Sequence, residues 1–184
     1  YPCKNNFYHY YKKEKLNVGK KFNLNEVCNL LINQKSVAIF EGNPEAGPRA
    51  LGNRSILADP RNKDMRQKVN NIKKREQFRP FGCSTINNSF SKNPYMLYAD
   101  PIDYNKYPSI SHVDGTCRHQ TVENNELFTK LIQKFYNETN CDILLNTSLN
   151  INGKPLAGYK KDALQLFNIS DLDALVYGNE IYIK

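Results

Sequence analysis

From Glu41 to Arg61 the chain reads EGNPEAGPRALGNRSILADPR, with Gly42, Gly47, Gly52, Pro44 and Pro48 set among Arg49, Arg54 and Arg61. Such a run cannot be regular helix or strand throughout, because glycine opens backbone conformations closed to other residues and proline fixes its own. It must turn. Glycine also lets backbone N–H groups approach a ligand closely, and the guanidinium forks of Arg49 and Arg54 suit phosphate oxygens. Asn53 and Ser55 add an amide and a hydroxyl to the same turn. Asp59 followed by Pro60 predicts a helix capped by the aspartate, with the proline at its first position. A rigid basic turn leading to a helix N-terminus welcomes an anion. The same residues also describe a Gly-rich surface loop with scattered arginines.

On either side of this turn the pattern is mixed. Leu24, Val27, Leu30 and Leu31 predict a helix over 24–34, and 36–40 reads as a short buried strand. Met65, Val69 and Ile72 lie on one helix face, and Pro80 stops any continuation. Strands are expected at 81–86, 95–99, 109–113 and 117–122. A helix is expected at 125–138, an apolar strand at 142–145 and a further helix at 160–167. A closing hairpin around Gly178-Asn179 joins 174–177 to 181–183. Helices and strands without strict βαβ alternation predict an α/β or α+β domain with a twisted mixed sheet. Residues 1–22, rich in Tyr, Lys and Asn, read as an arm or linker, and 23–184 as one domain.

A chain of 184 residues, 40% hydrophobic and 24% charged, is long enough for one sizeable core. No apolar run approaches the roughly 20 residues of a membrane helix, so no membrane partner is expected. Cys3, Cys28, Cys83, Cys117 and Cys141 form no CxxC pair, and the three histidines complete no zinc pattern. Each cysteine reads as a small buried residue in a reduced, cytoplasmic setting, and no protein-held metal is expected. The net charge is +8, and residues 61–79 alone hold eight cations against Asp64 and Glu76. A positive field there attracts the phosphates of a nucleotide or of a nucleic acid, and a solvated helix face rich in lysine gives the same pattern.

Four polar clusters stand at the ends of apolar elements, where ligand crevices of sheet proteins tend to form. The first holds Arg49, Asn53, Arg54 and Ser55. The second is 73–81, with Lys73 and Arg79. The third is 111–120, with His112, Asp114 and Arg118. The fourth is 145–150, with Asn146, Ser148 and Asn150. They supply cations, hydroxyls and amides but no activated nucleophile. His112 and Asp114 could act as a general-base pair, and a structural role fits His112 equally well. Many cations with few bases suit phosphoryl or nucleotidyl transfer, where positioning and charge neutralisation supply most of the catalysis.

The segments GPRALGNRSILADPR (47–61), KKREQFRPF (73–81), SHVDGTCRHQTV (111–122), LLNTSLNINGKPL (144–156) and DALVYGN (173–179) resemble the C-terminal domain of O-carbamoyltransferases of the nodulation-protein and antibiotic-biosynthesis type. The resemblance covers roughly 36–184. It implies a YrdC-like α/β fold that makes a carbamoyl-adenylate from carbamoyl phosphate and ATP, with Mg²⁺ on the ATP phosphates. It implies a partner too: an N-terminal domain of the actin-like ATPase superfamily, in the same polypeptide, that passes the carbamoyl group to a hydroxyl. The start at Tyr1 fits a separated C-terminal domain. By motif, Arg49 contacts phosphate or carbamoyl groups, Lys73 and Arg79 face ATP and carbamoyl phosphate, and Arg118 and Ser148 match the family's arginine and serine. Attack of a carbamate oxygen on the α-phosphorus builds charge that several fixed cations stabilise.

Some neighbours of these residues depart from the family pattern. Gly82-Cys83-Ser84 stands for Ala-Pro-Ser, Leu149 for Phe, Lys154 for Glu and Cys117 for Ala. They bear on the shape of the pocket. Two other functions compete: an adenylate former for a threonylcarbamoyl-like group, against which the HVDGT segment speaks, and a nucleic-acid-binding module using 61–79. Steep salt dependence would mark the latter.

Overall fold

Val37–Phe40 is a run of four apolar residues, and all four are buried. It forms a central strand of the sheet in the computed structural model, which describes residues 18–87 and 90–184. In chain order the elements are β1 (Lys20–Lys21), α1 (Leu24–Ile32), β2 (Val37–Phe40), β3 (Arg54–Ala58), α2 (Asp64–Ile72), β4 (Gly82–Thr85), β5 (Ala99–Pro101), β6 (Thr116–Thr121), α3 (Glu126–Thr139), β7 (Ile143–Ser148), α4 (Lys160–Ile169), β8 (Ala174–Tyr177) and β9 (Glu180–Ile183). Among the described residues they make one sheet of nine strands in the order β1-β9-β8-β2-β3-β7-β4-β6-β5. It is mixed: β2 pairs parallel with β8 and β4 parallel with β6, while β3 and β7 run antiparallel to their neighbours. This is the expected α/β class.

The helices follow their apolar spacing. Val27, Cys28 and Leu31 are the buried face of α1, and Phe128, Leu131, Ile132 and Phe135 that of α3. α1 and α3 pack on one another, and α4 lies on β8. Asn23 and Asn125 cap α1 and α3 by accepting backbone N–H bonds at their starts. Cys28, Cys83, Cys117 and Cys141 are free and buried, as their reading as small core residues required; Cys3 lies outside the described residues. No helix among the described residues is long and apolar enough to cross a membrane.

The structure corrects the sequence reading in five places. Arg54–Ala58 is not turn but strand β3, wholly buried between β2 and β7; its polar first two residues hid it. Asp59-Pro60 does not start a helix, and α2 begins only at Asp64. Asp59 is fully buried and committed to Arg61, whose guanidinium donates to it at 2.6 Å, and to Gln34 Nε2. At 109–113 there is no strand, because Ser109 and Ser111 turn their hydroxyls onto the carbonyls of Pro60 and Tyr107. Such local bonds compete with a sheet ladder. The strand expected at 95–99 is reduced to Ala99, the first residue of β5. Part of the supposed N-terminal arm also belongs to the domain: Lys20–Lys21 pairs with β9, and Phe22 N–H donates to Asn179 O. Residues 1–17 lie outside the described residues.

Candidate functional site

The sheet registers decide which side chains share a face. Gly82 of β4 stands opposite Asn146 of β7, and Ser84 opposite Gln120 of β6. Alternation then places Gly82, Ser84, Arg118, Gln120, Asn146 and Ser148 on one side of the sheet. Their contacts agree. Asn146 Nδ2 donates to Ser84 Oγ at 2.8 Å, and Ser84 Oγ donates to Gln120 Oε1 at 2.7 Å. Over this face lies the Gly/Arg loop, tied down by Asn146 Nδ2 to Ala50 O and Gln120 Nε2 to Leu51 O.

The loop is also braced from within. Glu45 Oε1 accepts N–H bonds from Leu51, Asn53 and Arg54 at 2.7, 2.7 and 3.2 Å. Gly47 and Gly52 carry φ of 123° and 118°, which side chains rarely tolerate. A Cβ at Gly52 would stand 2.5 Å from the Phe128 ring. With both ends fixed, Arg49 projects from the loop without a hydrogen bond or ion pair among the described residues.

Between loop and sheet is a cavity of about 330 Å³. Four arginines line it: Arg49 from the loop, Arg75 and Arg79 from the turn after α2, and Arg118 from β6. Phe81, Met96, Asn146 and Ser148 also line it, and no carboxylate does. Burial first, then the nearby Arg118 charge, hold the Arg49 pKa below its ordinary value. Burial, then Arg79, bring Arg75 down to about 10. Arg75 is braced by Asn70 Oδ1 and Pro80 O and lies over the Phe81 ring at 4.3 Å. Arg79 pairs with Glu76 at 2.8 Å on the exposed rim. Mutually destabilising cations gathered on a carboxylate-free wall are an arrangement that a polyanion relieves.

The remaining residues singled out in the sequence stand elsewhere. Lys73 is buried and is not part of the cavity lining; its ammonium donates to Ser148 O, Ser148 Oγ, Asn150 O and Asn150 Oδ1. It is a strut behind Ser148, and burial, then Arg75, draw its pKa down to about 7. Asn150 accepts from Ser148 Oγ at 2.6 Å and donates to Lys154 O. The Arg54 guanidinium donates to the carbonyls of Glu41, Gly42, Asn53 and Ala157 and lies 3.4 Å over the Phe40 ring. Ser55 is buried and accepts Gly52 N–H, while Asn53 joins Asn43 to Asn125. His112 and Asp114 do not bond each other. His112 Nε2 lies 3.3 Å from Phe81 O, and Asp114 accepts from Thr116 N–H and Oγ1.

Sequence reasoning passed over Arg75, Glu45, Ser84 and Gln120. The signal for Arg75 was its place between Lys73 and Arg79; that for Glu45 was a single acid inside a Gly/Arg loop. Two departures from the family pattern meet, with Cys83 and Cys117 sulfurs 3.3 Å apart. A third has a local cause: a Cβ at Gly82 would come within 2.9 Å of Arg118 O. The basic stretch 61–79 is not one solvated face. Arg61 is held by Asp59, Lys68 by Asp173, Arg66 by the carbonyls of Ser109 and Ser111, and Lys73 is buried.

Comparison with known proteins adds a second line of observation. The family model described as "Carbamoyltransferase C-terminus" matches residues 28–184. Nodulation protein NolNO of Sinorhizobium fredii is 40% identical over 160 residues, covering 78% of this chain and 24% of that protein. The 3'-hydroxymethylcephem-O-carbamoyltransferase of Amycolatopsis lactamdurans is 32% identical, covering 85% and 32%. The chain thus spans about a quarter to a third of the length of these relatives. Full-length HypF, solved in a phosphate- and nucleotide-bound form, aligns with a TM-score of 0.58 at 14% identity, over 85% of this chain and 25% of HypF. The shared architecture is the YrdC-like α/β fold.

Proposed function

Because this chain belongs to the carbamoyltransferase C-terminus family, we propose that its cavity binds ATP and carbamoyl phosphate and yields a carbamoyl-adenylate. The single observation that carries this is the wall of four arginines without a carboxylate. Water releases phosphate from carbamoyl phosphate, leaving carbamate. A carbamate oxygen then forms a bond to the α-phosphorus of ATP, and the bond to the pyrophosphate oxygen breaks. Negative charge moves among phosphate oxygens throughout, and pre-placed guanidinium groups in a partly desolvated cavity stabilise it. Glu45, Gln120 and Asn146 fix the loop beforehand, so that Arg49 need not be ordered during the reaction.

Mg²⁺ accompanies ATP phosphates in such chemistry, and here the phosphates and water would hold it, because the cavity wall has no carboxylate. The arginines would share the neutralising of the phosphates with it. Transfer of the carbamoyl group to a hydroxyl belongs, on this reading, to the actin-like domain of a longer polypeptide.

Pyrophosphate release from ATP, with and without carbamoyl phosphate, tests the proposal. Release should require both substrates. Arg118→Ala should lower it by about 10²-fold, the size of losing one preorganised donor to a developing oxyanion. Lys130→Ala, on the exposed face of α3 and paired with Glu126, is the comparison and should leave the rate within twofold. Equal loss in both variants would replace a built pocket with a diffuse basic surface.

A further inference from the structure

One residue lining the cavity carries a buried polar atom that the arginines do not explain. Asn146 lines the cavity and is 2% exposed, and its Oδ1 is buried without a hydrogen-bond partner. The orientation of this amide is set by its surroundings. Ala50 O can only accept, so the group 3.1 Å from it must be the Asn146 NH₂. The second proton goes to Ser84 Oγ, whose own proton goes to Gln120 Oε1, and Gln120 Nε2 is spent on Leu51 O. Turning the amide over would set two acceptors against each other at Ala50. Oδ1 is therefore locked as an acceptor, and none of the four arginines reaches it. An orphaned buried acceptor is unfavourable, and native proteins keep few of them.

We propose that Asn146 Oδ1 accepts an N–H of the substrate's carbamoyl amide and so distinguishes carbamoyl phosphate from acyl phosphates of the same shape. The proposal rests on the carbamoyl-adenylate reading. The chemistry of the ligands selects the partner. Phosphate oxygens are acceptors and go to the arginines, so they cannot satisfy Oδ1. The carbamoyl NH₂, the adenine amino group and the ribose hydroxyls can donate. Asn146 is at the sheet floor, opposite Gly82, where Arg118 O and Met96 close in. A group of three heavy atoms fits so enclosed a place better than a purine or a ribose.

Acetyl phosphate is the probe, since it replaces the NH₂ by a methyl group of similar size. Pyrophosphate release by the full chain with each acyl phosphate should favour carbamoyl phosphate by roughly tenfold or more, the value of one buried hydrogen bond. Asn146→Ala should bring the ratio close to one. Ser84→Ala loosens the same network but keeps Oδ1, and it should preserve the ratio even if both rates fall. A ratio unchanged in Asn146→Ala would overturn the proposal and point to a scaffold role or to adenine. Equal use of both phosphates by the unaltered chain would overturn it while leaving the adenylation reading intact. Release with neither would overturn the reading of the site, and this proposal with it.

Discussion

Arg54→Met will lower the stability of the domain by about 3–5 kcal/mol, because several carbonyls lose a charged donor at once. Four backbone oxygens from three segments converge on this guanidinium: Glu41, Gly42, Asn53 and Ala157. Methionine keeps most of the stem volume but none of the donors. The carbonyls of Glu41 and Gly42 are near solvent and can rehydrate, whereas that of Ala157 cannot without opening the 149–157 segment, since Ala157 is buried and its N–H is bonded to Leu149 O. Denaturant unfolding followed by circular dichroism will show the loss as a lowered midpoint. An arginine serving as a phosphate contact would behave otherwise, with an unchanged midpoint and weakened nucleotide binding. Measuring both separates the two roles.

Lys73→Met comes next in size. It leaves Ser148 O and Asn150 O without their buried donor, a loss of about 3 kcal/mol. It also frees Ser148, which lines the cavity, so pyrophosphate release should fall with stability. A pH series gives a sharper readout. The folded-state pKa is about 7, against an ordinary value of 10.5. Below pH 7 both states hold the proton, and the burial penalty stands in full. Between pH 7 and 10.5 the unfolded chain binds a proton that the folded chain has released, so stability rises with pH. The unfolding free energy of the unaltered chain, minus that of Lys73→Met, should therefore grow by up to about 1.4 kcal/mol per pH unit across this window. A flat difference would mean that the ammonium remains charged against its four acceptors.

Much of the fold could be read from the sequence where one face of an element is apolar. The helix at 125–138, the strand at 36–40 and the closing hairpin all follow from spacing, and the structure moves their ends by a residue or two. What escaped was set by long-range pairing. β3 begins Arg-Ser, a polar start that reads as loop until β2 and β7 cover it on both sides. Ser109 and Ser111 are compatible with a strand until their hydroxyls find nearby carbonyls. The candidate site was legible as residue types: Arg49, Arg79, Arg118, Asn146 and Ser148 come from four separate segments and line one cavity. Sequence could not separate arginines that face open space from Arg54, which faces carbonyls, because the difference lies in which backbone groups the sheet brings near.

β2 pairs with β8 residue for residue, Val37 against Ala174 through Phe40 against Tyr177. The partner of an early strand thus lies near the end of the chain. β9 then pairs with both β8 and β1. During synthesis the first half of the domain is made with one edge of β2 unpaired and apolar. That edge stays open until β8, more than a hundred residues further along the chain, has been made. Sheets dominated by such distant pairings form slowly and expose sticky edges meanwhile. The domain's folding is therefore held back by the last strands to be made, and its yield depends on how well that edge is kept from other chains in the interval.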